Sequence, residues 1–262
     1  MVESCAPPAL TFVGHSTVIV EMDGIRIITD PVLRDRTAHL RRHSSSPDPS
    51  IYGNVDAVLI SHLHLDHCDF PSLRRLGMHR RLLVPEGAGR AFRRRGFRDT
   101  EELAPGDSTE VGSITVTATE AAHSGFRPPL GPRAIPLGFV IAGAQRIHFA
   151  GDTDLFPGMR RLHGSIDVAL LPVWGWGRSI GPGHLDPERA ARALALIGAP
   201  IAIPIHWGTL GTMAVSRPDS PHLADPPYLF ARVAAELAPE VVVRILKPGE
   251  CVGFGRSRGQ LR

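Results

Sequence analysis

Apolar and polar positions alternate through the first part of the chain. Leu10 to Val13, Thr17 to Met22 and Ile25 to Thr29 read as strands near residues 10–13, 17–22 and 25–29, and Asp23-Gly24 between the last two predicts a two-residue hairpin turn. Continuous apolar runs follow near residues 55–60 and 82–84, as expected of strands buried on both faces. Helix signals lie near 71–77, where Asp69-Phe70-Pro71 supplies a cap and first turn, and from Gly87 to Arg95, ended by Gly96. The second half repeats the rhythm, with strands near 114–118, 137–142, 145–149, 167–171, 201–204 and 242–246 and a hairpin at Gly143-Ala144. Its helices are Pro187 to Ile197 and Pro227 to Leu237; in the first, Pro187 follows the capping residue Asp186 and Ala190, Ala191, Ala193, Leu194 and Ile197 form an apolar stripe. His39 to Ser50 reads as a mobile loop and Arg217 to Pro227 as a second, Pro-rich one. The pattern predicts an α/β protein without choosing among α/β folds.

The polar positions that interrupt this pattern carry the chemistry. Ser61-His62-Leu63-His64-Leu65-Asp66-His67 comes directly after the 55–60 strand. His62 and His64 leave the strand end on one side because strand side chains alternate, and Asp66 and His67 follow in the turn, aimed at a second point nearby. Imidazole and carboxylate together suit zinc, manganese or iron, and two such groups side by side suit a dinuclear centre. One turn cannot supply all the ligands. The further candidates, His123, Asp152 and His206, each stand just after a β-rich segment and beside small residues.

Composition bounds the reading. The 262 residues suit one domain, and 43 % hydrophobic with 21 % charged residues describe an ordinary globular chain. The cysteines, Cys5, Cys68 and Cys251, show no paired spacing, which argues against a disulfide framework and for a reducing compartment. Cys68 reads as packing, since its side chain points away if His67 points in. No apolar run approaches a membrane span, and Met1 to Pro8 lacks the features of a signal peptide, so the expected location is cytoplasmic. The net charge of +3 is carried almost wholly by Arg, Lys247 being the one lysine. Arg74, Arg75, Arg80 and Arg81 form one cluster and Arg90, Arg93, Arg94, Arg95 and Arg98 another. A solvated face is the ordinary explanation; attraction of a phosphorylated substrate or an anionic membrane is the sharper one. Aromatic content of 6 % and the lack of a stacking platform argue against nucleic acid.

The order of these motifs resembles the metallo-β-lactamase superfamily: His-x-His-x-Asp-His, a lone His, Gly151-Asp152-Thr153, then a late His. Gly14-His15-Ser16-Thr17, Thr29-Asp30-Pro31, His184-Leu185-Asp186-Pro187-Glu188 and His206-Trp207-Gly208-Thr209 are similar to the branch that holds ascorbate-6-phosphate lactonase and N-acyl-phosphatidylethanolamine phospholipase D. The matches run from about Phe12 to Glu250. The resemblance implies a four-layer αββα sandwich forming a single domain over residues 1–262. It also implies His62, His64 and His123 on one metal, Asp66, His67 and His206 on the other, and Asp152 between them. The chain departs from true β-lactamases in lacking a late Cys ligand, and from the tRNA-processing nucleases in lacking their extra acidic and histidine motifs.

The expected activity is hydrolysis by metal-bound hydroxide of a phosphodiester, lactone or other ester in a small or lipid-like anionic substrate. The cofactor is two divalent ions, zinc first, with manganese or iron as alternatives. Asp66 is expected to orient the nucleophile and His184, on a Gly-Pro-Gly loop before a helix, to donate the leaving-group proton. His15 and Asp30 are expected to orient ligands, and Trp174, Trp176 and Arg178 to wall the substrate pocket. A nuclease, a redox protein using iron in the same ligands, and a non-catalytic metal-binding module are the other readings. A homo-oligomer is compatible with the sequence.

Overall fold

Alternation along the strands becomes two-sided burial in the computed structural model, which describes residues 5–177, 179–212, 220–255 and 261. In the hairpin of strands Thr17–Met22 and Ile25–Thr29, Val18, Val20 and Ile27 point into one core, while Ile19 and Ile28 point into another. The hairpin belongs to a seven-stranded sheet ordered Cys251–Gly253, Ala9–Gly14, Thr17–Met22, Ile25–Thr29, Ala57–Leu59, Arg81–Pro85, Thr100–Leu103. A second seven-stranded sheet runs Val242–Val243, Ile201–Ile205, Val168–Pro172, Arg146–Phe149, Leu137–Ala142, Ile114–Glu120, Ser108–Val111.

The sheets pack face to face, burying Phe12, Val20 and Leu83 of the first against Val116, Phe139, Phe149 and Leu170 of the second. Outside the first sheet, helix Phe70–Leu76 and the short helix Gly89–Arg93 place Phe70, Leu73 and Phe92 over Ile19, Ile28, Val58 and Leu82. Outside the second lie helices Pro187–Ile197 and Pro226–Leu237, packed on each other through buried Ala191, Leu194 and Phe230. Asp186 caps the first of these by accepting from the Arg189 N–H, and Gly198 ends it at φ +66°. The architecture is the expected αββα sandwich.

The parallel strands position the site. Ile25–Thr29, Ala57–Leu59 and Arg81–Pro85 run parallel in the first sheet, and Arg146–Phe149, Val168–Pro172 and Ile201–Ile205 in the second. Their carboxyl ends carry Asp30, His62, Asp152, Trp174 and His206, and in open α/β sheets that edge is where ligands bind.

Several expectations need correction. The 39–50 stretch is not a free loop: Leu40–Arg42 pairs with Leu210–Thr212 and with Arg36–Thr37 in a three-stranded sheet, and Pro49–Tyr52 is helical. Leu40, Val32 and Leu210 form a small apolar cluster there with Trp176 against it, and that burial holds the segment. Pro221–Ala224 is a short helix rather than loop; Arg217 lies outside the described residues. The 143–144 turn takes in Gln145, because Ala142 pairs with Arg146.

The cysteine reading is overturned as well. Cys5 and Cys251 form a disulfide, while Cys68 is free and buried. The sparse cysteine count is therefore no argument for a reducing compartment. The bridge joins residues 246 apart, fastening the start of the chain to the edge strand Cys251–Gly253. Closing so long a loop constrains the unfolded chain strongly, so Cys5→Ser should lower stability by about 2–5 kcal/mol. Thermal melts with and without reductant check this. Equal melting of the oxidised wild type and the variant would show that the bridge contributes nothing.

A pH effect also arises from the fold. Strand alternation sends Ile147 and Phe149 inward and leaves His148 buried on the opposite face, with Nδ1 donating to the Phe139 carbonyl at 3.3 Å. Burial lowers its pKa from 6.5 to about 4. Between those values the unfolded chain binds a proton that the folded chain does not, so stability falls as pH drops through that window, by about 3 kcal/mol in all. His148→Asn keeps a donor near the Nδ1 position and removes the titration. Its urea stability should fall less than wild type between pH 7.5 and 4.5; an identical fall in both would sink the assignment.

Candidate metal centre

The strand ends converge on one buried carboxylate. Asp152, 3 % exposed, follows Gly151, whose φ of +61° and contact with Ser61 leave no room for a side chain. Asp152 Oδ2 lies 3.2 Å from His67 Nε2 and 4.0 Å from His62 Nε2, and its Oδ1 lies 3.3 Å from His206 Nε2. On one side of it, His62, His64 and His123 bring their ring nitrogens within 4.8 Å of one another, with His64 Nδ1 and His123 Nε2 at 3.1 Å. On the other side, His67 Nε2 and His206 Nε2 are 3.1 Å apart, and Asp66 Oδ2 is 3.8 and 3.9 Å from them. The structure thus brings all seven predicted ligand residues together, in the two groups implied by the resemblance.

Each of four imidazoles has its second nitrogen held. His62 Nδ1 meets Ser61 Oγ at 3.0 Å, His67 Nδ1 meets Asp30 Oδ2 at 2.8 Å, His123 Nδ1 meets the Gly183 carbonyl at 2.7 Å, and His206 Nδ1 meets the Trp174 carbonyl at 2.6 Å. These partners fix ring orientation and aim the other ring nitrogen at the centre. Asp30 is itself anchored by the Ser61 N–H at 2.7 Å and hydroxyl at 2.5 Å. His15 Nε2 is 3.1 Å from Asp66 Oδ2, so it orients that carboxylate.

The electrostatics mark a place prepared for cations. Burial pushes the His62 pKa well below its usual value, and those of His123 to about 4 and His15 to about 3. Burial alone would protonate Asp152, but His206 and His67 outweigh it and hold the carboxylate charged. For Asp66, too, burial is outweighed, by His67 and His15. His67 and His184 go the other way: Asp152 and Asp66 overcome the burial of His67 and hold its pKa well above the usual value, and Asp152 likewise raises that of His184 against its burial. His62 Nε2 is buried without any hydrogen-bond partner, a costly state that a cation would relieve. The donors are nitrogen and carboxylate oxygen with no thiolate, a set that fits zinc, manganese or iron. Cys68 takes no part, since burial pushes its thiol up to about 12.

The remaining predicted residues separate by role. His184 sits at the mouth, its side chain 24 % exposed, with Nε2 3.5 Å from Asp152 Oδ2 and Nδ1 3.0 Å from the Gly181 carbonyl. Trp174 meets the centre through its carbonyl rather than its ring, whose Nε1 donates to Gly177. The Trp176 ring stands edge-on to His39 at 4.9 Å, beside the three-stranded sheet. Arg178 lies outside the described residues.

Sequence reasoning missed Ser61, Thr209 and the carbonyls of Trp174 and Gly183. Ser61 stood next to the motif and was a readable signal, whereas carbonyls belong to every residue and carry none. Thr209 Oγ1 accepts from the His15 N–H at 2.8 Å, and the His206 N–H donates to the His15 carbonyl at 2.8 Å, locking two distant motifs together. A side chain on Gly14 (φ +129°) would come within 2.7 Å of Thr209 Oγ1, which accounts for glycine there. His15, Asp30 and His206 all take positive φ, a conformation that costs energy and collects at working sites.

Known proteins resemble the chain along most of its length. A metal-dependent hydrolase of Methanopyrus kandleri is 31 % identical over 92 % of this chain and 97 % of its own. An N-acyl-phosphatidylethanolamine-hydrolyzing phospholipase D of Caenorhabditis elegans is 28 % identical over 76 % of this chain, which spans 63 % of that protein. The solved structure of Igni18, a metallo hydrolase from Ignicoccus hospitalis, superposes with a TM-score of 0.72 at 26 % identity, covering 94 % of this chain and 98 % of its own. The family described as beta-lactamase superfamily domain matches residues 25–207. With that match and the αββα fold, the chain belongs to the metallo-β-lactamase superfamily of metal-dependent hydrolases.

Proposed function

We propose that this protein cleaves a phosphodiester, lactone or other ester bond in a small or lipid-like anionic substrate, using two divalent metal ions, zinc foremost. The observation that carries the reading is the convergence of two ligand groups on Asp152, with His62 Nε2 buried and without a hydrogen-bond partner. In this assignment His62, His64 and His123 hold one ion, Asp66, His67 and His206 the other, and Asp152 both. When bound, such a pair supplies Lewis acidity and a water acidic enough to lose a proton near neutrality.

The chain's own groups do the rest. Asp66, steadied by His15, is placed to orient the attacking water. His184, half-open to solvent and beside Asp152, is placed to give a proton to the departing oxygen. The phosphodiester choice is supported by the name of the C. elegans relative, a phospholipase D.

Protein purified without chelators should carry close to two metal ions per chain, on the two-metal reading, and turn over a phosphodiester or a lactone from a mixed panel. Chelation should abolish that turnover and lower the melting temperature, since ions that bind only the folded chain stabilise it. Fully loaded protein that turns over none of the panel, or only RNA or DNA, would refute the proposal.

A further inference from the structure

Leu130 is 95 % exposed, at the tip of a loop that leaves the metal centre just after His123. The loop is closed at its base by the Phe126–Arg133 bridge and internally by Gly131 N–H to the Arg127 carbonyl at 2.8 Å. Pro128, Pro129 and Pro132 stiffen it, so Leu130 is presented outward rather than folded back. Arg127 ties the loop to the metal motif, donating to the carbonyls of Leu63 and Cys68 at 2.5 and 3.1 Å.

Facing the loop is helix Gly89–Arg93 and the turn after it. The groove between them, about 250 Å³, is lined by Phe70, Ala91, Arg95, Arg127 and Leu130. Arg90, Arg94 and Arg95 are exposed. Among the described residues no carboxylate lies within ion-pair distance of Arg90, Arg94, Arg95, Arg127 or Arg133; Arg93 alone of this helix is paired, with Glu102 at 3.3 Å.

We propose that Leu130, with Arg95 and Arg127 in the same groove and exposed Arg90 and Arg94 on the facing helix and turn, forms a docking face for an anionic lipid surface. A solvated helix face would explain the arginines but not an exposed apolar tip beside them. A tip that enters the headgroup region, next to cations with no carboxylate partner, is the combination that binds anionic bilayers. Nucleic acid fits less well, because the rings that bases would stack on are covered: Arg95 and Arg127 lie 4.3 and 5.1 Å from the Phe70 centroid, and Arg133 lies 5.3 Å from that of Phe126. The inference goes beyond the proposed activity and holds whichever bond the centre cleaves.

The test is co-sedimentation of the metal-loaded full chain with phosphatidylcholine vesicles and with equal parts phosphatidylcholine and phosphatidylglycerol, at low and high salt. Binding should appear with the anionic vesicles alone and weaken with salt. Leu130→Asp should weaken it about tenfold or more, and Arg90→Glu with Arg94→Glu about thirtyfold, with melting temperature and metal content unchanged. Arg160→Glu with Arg192→Glu, exposed arginines on the other helical layer, removes the same charge elsewhere and should cost far less. Absence of binding to anionic vesicles, an equal loss in the control pair, or unchanged binding by Leu130→Asp would each overturn the proposal. Tight binding of a single-stranded oligonucleotide that displaces the vesicles would assign the face to nucleic acid instead.

Discussion

Asp152→Ala should lose metal and turnover together. Asp152 is the carboxylate between the two imidazole groups, within 3.2–4.0 Å of His62, His67 and His206. Without it the two sites share no ligand, and of the six inward-facing groups that remain, five imidazoles and Asp66, only Asp66 carries a negative charge to offset that of a cation. Metal analysis should find well under the two ions expected of wild type, and activity should fall below detection. Asp152→Asn, which keeps the shape and removes the charge, should behave almost as badly. A well-folded Asp152→Ala protein that retains two ions would show that this residue does not join the sites.

The second large effect separates chemistry from metal holding. His184→Ala should keep both ions and its melting temperature, while turnover falls by about 10²–10⁴-fold, the range for a lost general acid. The geometric ground is that His184 approaches Asp152 at 3.5 Å with its side chain 24 % exposed, whereas His62, His67 and His206 around that carboxylate are buried; His184 also lies within ligand distance of His123 and Asp152, so the metal count of the variant is the deciding readout. A substrate with an activated leaving group needs no proton from the protein, so it should recover much of the lost rate in His184→Ala and none in Asp152→Ala. Wild-type turnover by the His184 variant, or loss of an ion from it, would show that the residue has another role.

Much of this was legible before any coordinates. Helix Pro187–Ile197 carries its whole specification locally: a capping Asp186, Pro187 in the first turn, an apolar stripe and Gly198 at the end. Strands 17–22 and 25–29 and their Asp23-Gly24 turn are equally local, and period-two alternation settles which residues face each core. The His62 to His67 run was readable because strand geometry alone sends its side chains toward two nearby points. His123, Asp152 and His206 were readable as strand-end residues, and their distribution between two ions came from resemblance, not from spacing.

What the sequence could not yield depends on contacts between segments far apart in the chain. Leu40–Arg42 looks like loop because it has three residues and no alternation to read; it is a strand because Leu210–Thr212 lies alongside and Leu40 buries itself there. Cys5 and Cys251 have no recognisable spacing, yet the edge strand carries one to the other. The carbonyls of Trp174 and Gly183 orient two histidines only because separate loops fold over the same strand ends. Local backbone preference and side-chain period are written into a few consecutive residues, so the sequence by itself determined the longer elements, their inward faces and the ligand types. Which loops meet, which cysteines pair and which nitrogen points at Asp152 are set by packing two sheets across their whole width, and only the tertiary structure could decide them.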